Sequence, residues 1–388
     1  MTVDSPIFVG LALALVLSGR LAPGRCAPIA YAIASVICFL TVQGTLLGAG
    51  VAAAFVLLPW LGLRLLGPAR APLLVAVQVA VALALRFGAG LFDTPLAVVG
   101  LSYIILRQVE WLLWVHESPE EAGDTLAAAT HQLGFFTLLA GPVVSYGDVG
   151  PRLLRRPPVF TAEDAVTGLE RVARGYLYVT VLAPVLRDAT TLERLAAADY
   201  GPLAGAVCLY GFPFALYFDF AGYTHIVLGF ARLAGQTLPE NFDRPFAARN
   251  VQQFWQRWHM SFSTWARVFV FTPVLRRLRT GARRLPERPA QAVALLMCFT
   301  FVGLWHGAST SFLLFGVLHG LAVFALLPWG DFLARRLGPE GLKRYRASRV
   351  VSGLAWVVCF HFLCVTIALF GRPLSAVVEA FARVLGGG

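Results

Sequence analysis

Apolar positions along this chain come in long blocks. They do not alternate as in strands, nor do they stripe one face of a surface helix. Blocks near 6–22, 27–45, 48–66, 72–91, 95–115, 126–146, 172–187, 199–218, 290–308, 310–328 and 351–370 approach the roughly 20 residues that a membrane-crossing helix needs. Two further stretches, 219–234 and 254–275, predict shorter or re-entrant pieces. Polar stretches at 148–171, 235–253, 276–289 and 330–350 separate the blocks. No internal repeat, low-complexity tract or separate soluble domain interrupts them. The pattern predicts an all-α polytopic membrane protein, one integral domain over 1–388.

Composition agrees with this reading. Of the 388 residues, 58% are apolar and 14% charged, against about 25% charged in a soluble domain. Too few charges remain to cover a water-exposed surface, and disorder is excluded by the high hydrophobicity. The net charge of +11 is carried by Arg in short loops, with Lys343 the one Lys. That arrangement is expected from positive-inside topology and does not point to nucleic acid. The composition suits a GC-rich bacterial genome, hence a cytoplasmic (inner) membrane. The six cysteines lie in or beside apolar runs with no Cys-x-x-Cys pair, so no zinc or disulfide signature is present. Asp4 precedes the apolar run Ile7–Leu17, which reads as a first membrane helix and not as a removed signal peptide.

Basic residues at Arg276, Arg277, Arg279, Arg283, Arg284 and Arg288, and again at Arg335, Arg336, Lys343, Arg344, Arg346 and Arg349, place both segments in the cytoplasm. Simple alternation then fails. It puts the acidic loop Glu117, Glu120, Glu121 and Asp124 inside and the basic loop Arg152, Arg155 and Arg156 outside. One segment between 72 and 115 therefore does not cross cleanly. The block 95–115 holds Arg107 and Glu110, three apart and able to share a helix face. Broken helices are tolerated at membrane depth only where protein or a water-filled cavity satisfies their backbone, so the fold is expected to contain a cavity.

Ionisable side chains inside apolar blocks mark function by default, and three regions carry them. Asp219 sits in Tyr217-Phe218-Asp219-Phe220, either as a site residue or as a structural carboxylate paired with an Arg. The run Phe254-Trp255-Gln256-Arg257-Trp258-His259-Met260-Ser261-Phe262, read as one helix, puts Trp255, Trp258, His259, Phe262 and Ser263 on a common face. His259 there is a base, a proton relay or an anchor, unless the segment is an interfacial structural helix. His306 lies in Leu304-Trp305-His306-Gly307, deep in an apolar stretch, and Gly307 leaves room for a close approach. His319-Gly320 repeats the His-Gly pair.

These residues resemble the membrane-bound O-acyltransferases, in particular the bacterial branch of alginate O-acetylation and teichoic acid D-alanyl transfer. The resemblance rests on LLAGPVVSYGDVGPRL (138–153), on YFDFAGYTHIVLGFARLAGQTLPENFDRPFAARNVQQFWQRWHMSFSTWARVFVFTP, on GLWHGASTSFLLFGVLHG and on the closing FGRPLSAVVEAFARVL. It covers a core of about 95–375, while residues 1–91 match only in hydrophobicity. It implies a ring of about 10–12 membrane helices with re-entrant segments around a tunnel. It also implies transfer of an acyl group, acetyl above all, from a cytoplasmic thioester to a hydroxyl of an envelope polysaccharide or to an extracytoplasmic esterase-like partner transferase. The donor implied is acetyl-CoA or an acylated carrier protein, with no bound cofactor and no metal. His306 and His259 match the family's catalytic positions. Asp219, Arg257, Trp258, Trp305, Ser261 and His319 are supporting or tunnel residues. Val268 stands where the branch carries an acidic residue, and Thr310 and Ser311 stand near a usual Trp. The rival readings are a membrane transporter or channel, a non-catalytic scaffold, and an acyltransferase acting on a lipid, a protein or teichoic acid.

Overall fold

A computed structural model describes residues 5–21, 26–87, 100–119, 125–147, 160–191, 201–281 and 284–385. The loops at 120–124 and 148–159, on which the topology conflict turned, lie outside those residues. The described chain is helical, and its extended pairing is a single isolated bridge between Phe242 and Trp258. It divides into two compact units, Met1–Leu177 with Gly222–Pro239, and Tyr178–Ala221 with Glu240–Gly388.

Six helices among the described residues are long and apolar enough to cross a membrane: Leu46–Leu66, Pro68–Arg86, Pro202–Leu233, Glu287–His306, Thr310–Ala347 and Arg349–Ile367. Pro6–Ser18 and Ile29–Val42 are apolar but shorter. The chain is a multi-pass membrane protein. Its large exposed apolar side chains, such as Val350, Leu354 and Val358 spaced four apart on one helix face, would be untenable in water and are at ease in lipid.

The first unit contains α1 (Pro6–Leu21), α2 (Cys26–Val42), α3 (Leu46–Leu66), α4 (Ala71–Phe87), α5 (Leu101–Glu117), α6 (Thr125–Leu133), α7 (Phe135–Leu138) and α8 (Ala162–Leu177). The expected span 126–146 is instead broken at Gly134, and α5 explains how. Fully buried Arg107 donates to the carbonyls of His131 (3.1 Å), Gln132 (2.8 Å) and Thr137. The first two are carbonyls left without a helical partner where α6 ends, and the third lies in the last turn of α7. A cation at a helix C-terminus also offsets the helix dipole. One turn on, Glu110 accepts from the Tyr146 backbone at 2.7 Å, and Tyr223 accepts from Ala140 at 3.1 Å. Arg107 and Glu110 thus hold the irregular Ala-Gly-Pro segment. At the other end of the unit Arg20 reaches the Leu233 carbonyl at 2.8 Å, and Arg232 pairs with Asp164 at 2.5 Å. Asp164 is held below the usual carboxylate range by Thr161, which donates through its hydroxyl and backbone, and then by Arg232.

The second unit contains α9 (Ala183–Ala189), α10 (Gly201–Leu233) as far as Ala221, α11 (Val251–Trp255), α12 (Met260–Ala266), α13 (Thr272–Arg279), α14 (Glu287–His306), α15 (Thr310–Ala347), α16 (Arg349–Ile367) and α17 (Leu374–Val384). Residues 219–234 are not a separate re-entrant piece. α10 runs unbroken for 33 residues through Asp219. The carboxylate does not interrupt it because its side chain is half exposed and meets Arg187 at 2.9 Å. Residues 254–275 are broken as expected, into α11, α12, a π-helical turn at Arg267–Phe271 and α13. The polar stretch after 328 remains helical to Ala347, with a break at Gly338, whose φ of 61° suits a glycine.

α14 and α15 form a hairpin packed backbone to backbone. A methyl group on Gly303 would collide with the Phe312 carbonyl, and one on Gly316 with the Phe299 carbonyl. Small residues of this kind let membrane helices approach closely. The hairpin brings the end of α14, where His306 sits, against the start of α15.

Candidate functional site

The site is built on a pairing distant in sequence. Residues 241–243 run antiparallel to 257–260: Asp243 donates its N–H to Arg257 at 3.0 Å, and Met260 donates to Asn241 at 3.0 Å. This pairing ends the helix that the aromatic run predicts. α11 stops at Trp255, and α12 starts only at Met260. The expected single face through Trp255, His259 and Ser263 is therefore absent. His259 forms the corner between the two helices with φ 44° and ψ 52°. A left-handed conformation is uncommon for a side chain of this size and costs about 1–3 kcal/mol, sustained by its surroundings. Ser263 N–H closes the first turn of α12 on the His259 carbonyl at 2.9 Å.

The corner aims the His259 imidazole inward. The residue is 2% exposed. Its ring stacks on Phe262 at 5.0 Å and meets Phe220 edge-on at 4.8 Å. The other face of this aromatic group is α14. Trp305 stacks on Phe262 at 4.5 Å, and the His306 ring lies 6.3 Å from it. His306 is half-buried and further framed by Phe370 at 4.5 Å and Phe312 at 6.0 Å. The space beside Gly307 is taken by the Phe312 ring. Phe262 thus touches both histidines that the sequence singles out. His259 lies outside the candidate spans. Burial, and then the proximity of His306, push its imidazole below the ordinary value and favour the neutral ring.

Among the described residues, one polar side chain comes within hydrogen-bond reach of the His259 ring. The Asn241 side-chain oxygen lies 3.4 Å from its Nδ1 and also accepts from the Ser261 hydroxyl at 2.6 Å and the Ser261 N–H at 3.3 Å. Ser261 therefore sits in the site by way of Asn241. Beside Phe262 opens a cavity of about 560 Å³. Trp255, Met260, Ser263, Arg267 and Val302 contribute to its lining. Such a mostly apolar chamber with a few polar groups suits a small ligand.

The remaining candidates lie elsewhere in the unit. His319 is fully buried and occupied on both nitrogens. The Trp255 indole donates to its Nδ1 at 3.0 Å, and its Nε2 lies 2.9 Å from the Thr366 hydroxyl. Thr366 in turn donates to the Phe362 carbonyl. The Thr366 hydroxyl proton is thereby committed, so His319 carries its proton on Nε2. Trp258 is buried among Phe254, Phe242 and Tyr217, and Arg257 is half-buried with its carbonyl in the strand-like pairing. Asp219 faces Arg187, not the histidines. The Val268 side chain is exposed in the π-helical turn. Sequence reasoning missed Asn241, though it stands in the quoted Leu-Pro-Glu-Asn-Phe, and Phe370, which stands in the closing Phe-Gly-Arg-Pro. Arg372 fixes that turn by donating to the Thr190 carbonyl at 2.7 Å while lying 3.7 Å over Phe212.

A family model described as MBOAT, membrane-bound O-acyltransferase family, matches residues 126–371, a stretch that holds His259, His306 and Asn241. The teichoic acid D-alanyltransferase of Bacillus subtilis is 27% identical over 285 residues, 71% of this chain and 69% of that protein. The probable alginate O-acetylase of Pseudomonas aeruginosa is 27% identical over 282 residues, 70% of this chain and 48% of that protein. The peptidoglycan O-acetyltransferase of Helicobacter pylori is 25% identical over 254 residues, 65% of this chain and 45% of that protein. The chain spans about half the length of the two O-acetyl-transferring relatives.

Proposed function

The chain belongs to the membrane-bound O-acyltransferase family, and from that premise we propose that it moves an acyl group, acetyl first, from a cytoplasmic thioester to a hydroxyl of an envelope polymer, directly or through a partner transferase. It is an O-acyltransferase by family, and a bacterial inner membrane is the proposed location. The relatives are named for teichoic acid, alginate and peptidoglycan, and this supports an envelope acceptor. The observation that carries the reading is the meeting of His259 and His306 on the two sides of Phe262, beside a cavity.

The chemistry is the exchange of a C–S bond for a C–O bond. The acceptor hydroxyl is a poor nucleophile until its proton is taken. His306, half-buried at the end of α14, is the proposed base. Removing the proton as the oxygen attacks the thioester carbonyl contributes about 10²–10⁴-fold. The C–S bond then breaks, and the proton passes from the imidazole to the departing thiolate. His259, behind Phe262, orients the acceptor or the thioester carbonyl, or relays that proton. The exposed guanidinium groups of Arg276, Arg277, Arg279 and Arg284 around α13 would draw a phosphate-bearing donor such as acetyl-CoA or an acylated carrier protein toward the membrane.

Mass spectrometry of envelope polymers from cells with and without the gene tests this reading. Loss of an O-acetyl group in its absence supports the proposal. Loss of an esterified D-alanine instead supports the teichoic acid reading. Unchanged polymers contradict both.

A further inference from the structure

We infer that Asn241 is a positioning residue that places the His259 proton on Nδ1 and leaves Nε2 as the lone-pair nitrogen turned to the reaction. The inference rests on the reading of His259 as part of the acyl-transfer site and specifies which of its atoms acts there.

The argument begins with Ser261. A backbone N–H can only donate, and that of Ser261 points at the Asn241 side chain at 3.3 Å. The atom facing it must be the amide oxygen, so the orientation of the Asn241 amide follows from its partner. The Ser261 hydroxyl donates to the same oxygen at 2.6 Å. That oxygen can only accept. His259 Nδ1, 3.4 Å away, can join the group only by carrying a hydrogen. In a neutral imidazole one nitrogen holds the proton and the other the lone pair, and the hydrogen bond of one nitrogen sets the state of the other. Nε2 is then the acceptor. It is buried and has no hydrogen-bond partner among the described residues. A buried polar atom without a partner carries a cost, which His131 Nδ1 also bears; what sets His259 apart is its Nδ1 contact to Asn241 and its place across Phe262 from His306.

His319 supplies the contrast within the same unit. It is as buried as His259, yet a donor and an acceptor occupy its two nitrogens, with the proton on the opposite nitrogen. Nothing about its ring is left to serve a substrate. The carboxamide of Asn241 is itself fully buried, and its backbone carbonyl is held by Met260 N–H. The side-chain oxygen cannot turn away without giving up both Ser261 hydrogen bonds. Asn241 thus fixes both the corner and the tautomer. A neutral Nε2 can accept the acceptor's proton from His306 or hold the acceptor hydroxyl by its hydrogen. It cannot donate to the thioester carbonyl, which removes one of the roles open to His259.

The test is the ¹⁵N spectrum of the full-length protein, labelled at its seven histidines, in lipid at mildly alkaline pH. His259 is assigned by the signal lost in His259→Gln. The expected result is a protonated Nδ1 and a bare Nε2 in the wild type. Asn241→Asp, which keeps the acceptor, should retain that state, and Asn241→Leu should lose it. In an acyl-transfer assay Asn241→Leu should lower kcat about 100-fold with KM little changed, and Asn241→Asp should recover most of the loss. A wild-type His259 protonated on Nε2 overturns the inference, as does an unchanged tautomer in Asn241→Leu. The wild-type and Asn241→Asp spectra decide the matter even where Asn241→Leu does not accumulate. Because the spectrum needs no substrate, a failure of the acyl-transfer reading would appear in the assay while the tautomer stood or fell by itself.

Discussion

At the scale of the residue, the molecule uses two fully enclosed histidines in opposite ways. His319 is a hydrogen-bond link between Trp255 and Thr366. His259 is a ring with one nitrogen held and one bare. Substitution should separate them. Trp255→Phe removes the donor to His319 and leaves a buried acceptor unsatisfied, which costs about 1–3 kcal/mol, and thermal unfolding in detergent should show it as a lower Tm. His259→Ala should lower transfer activity far more than it lowers Tm, because among the described residues its ring makes no hydrogen bond beyond the long one to Asn241. The two histidines of the candidate site stand out in the sequence by their aromatic and glycine neighbours and by the motif resemblance, and the structure sets both against Phe262. Asn241 does not, since its meaning comes from a contact across a loop that no local spacing encodes.

At the scale of the element, helices were read well where apolar length alone decides, as in α3, α14 and α16. They were misread where one buried side chain overrides local preference. Arg107 ends α6 by taking its last carbonyls, so the block 126–146 breaks although its hydropathy predicts a crossing. Asp219 misled in the other direction, because an exposed carboxylate beside Arg187 does not interrupt α10. The left-handed corner at His259 arises from pairing with 241–243, and no helical periodicity anticipates it. Two outcomes belong here. Arg107→Leu should abolish accumulation in the membrane, measured by immunoblot of membrane fractions, because it strips the buried carbonyls of His131, Gln132 and Thr137 of their donor. Gly316→Val should lower Tm, since the added carbons meet the Phe299 carbonyl, and overpacking of this kind costs typically about 1–3 kcal/mol.

At the scale of the whole molecule, the helices of the second unit set a small polar site in an apolar surrounding. The spans supply the setting, and the hairpin of α14 and α15 supplies His306. Both ends of that hairpin, near Arg284 and near Arg346, should face the same side of the membrane. Single cysteines introduced there in a cysteine-free background should be labelled together by a membrane-impermeant thiol reagent added from the cytoplasmic side, and neither from outside. The central claim concerns His306, and acyl transfer in isolated membranes tests it most directly. With an acetyl thioester and the cells' own envelope acceptor, His306→Ala should transfer at about a hundredth of the wild-type rate or less at equal protein level. Near wild-type transfer by that variant would contradict the account.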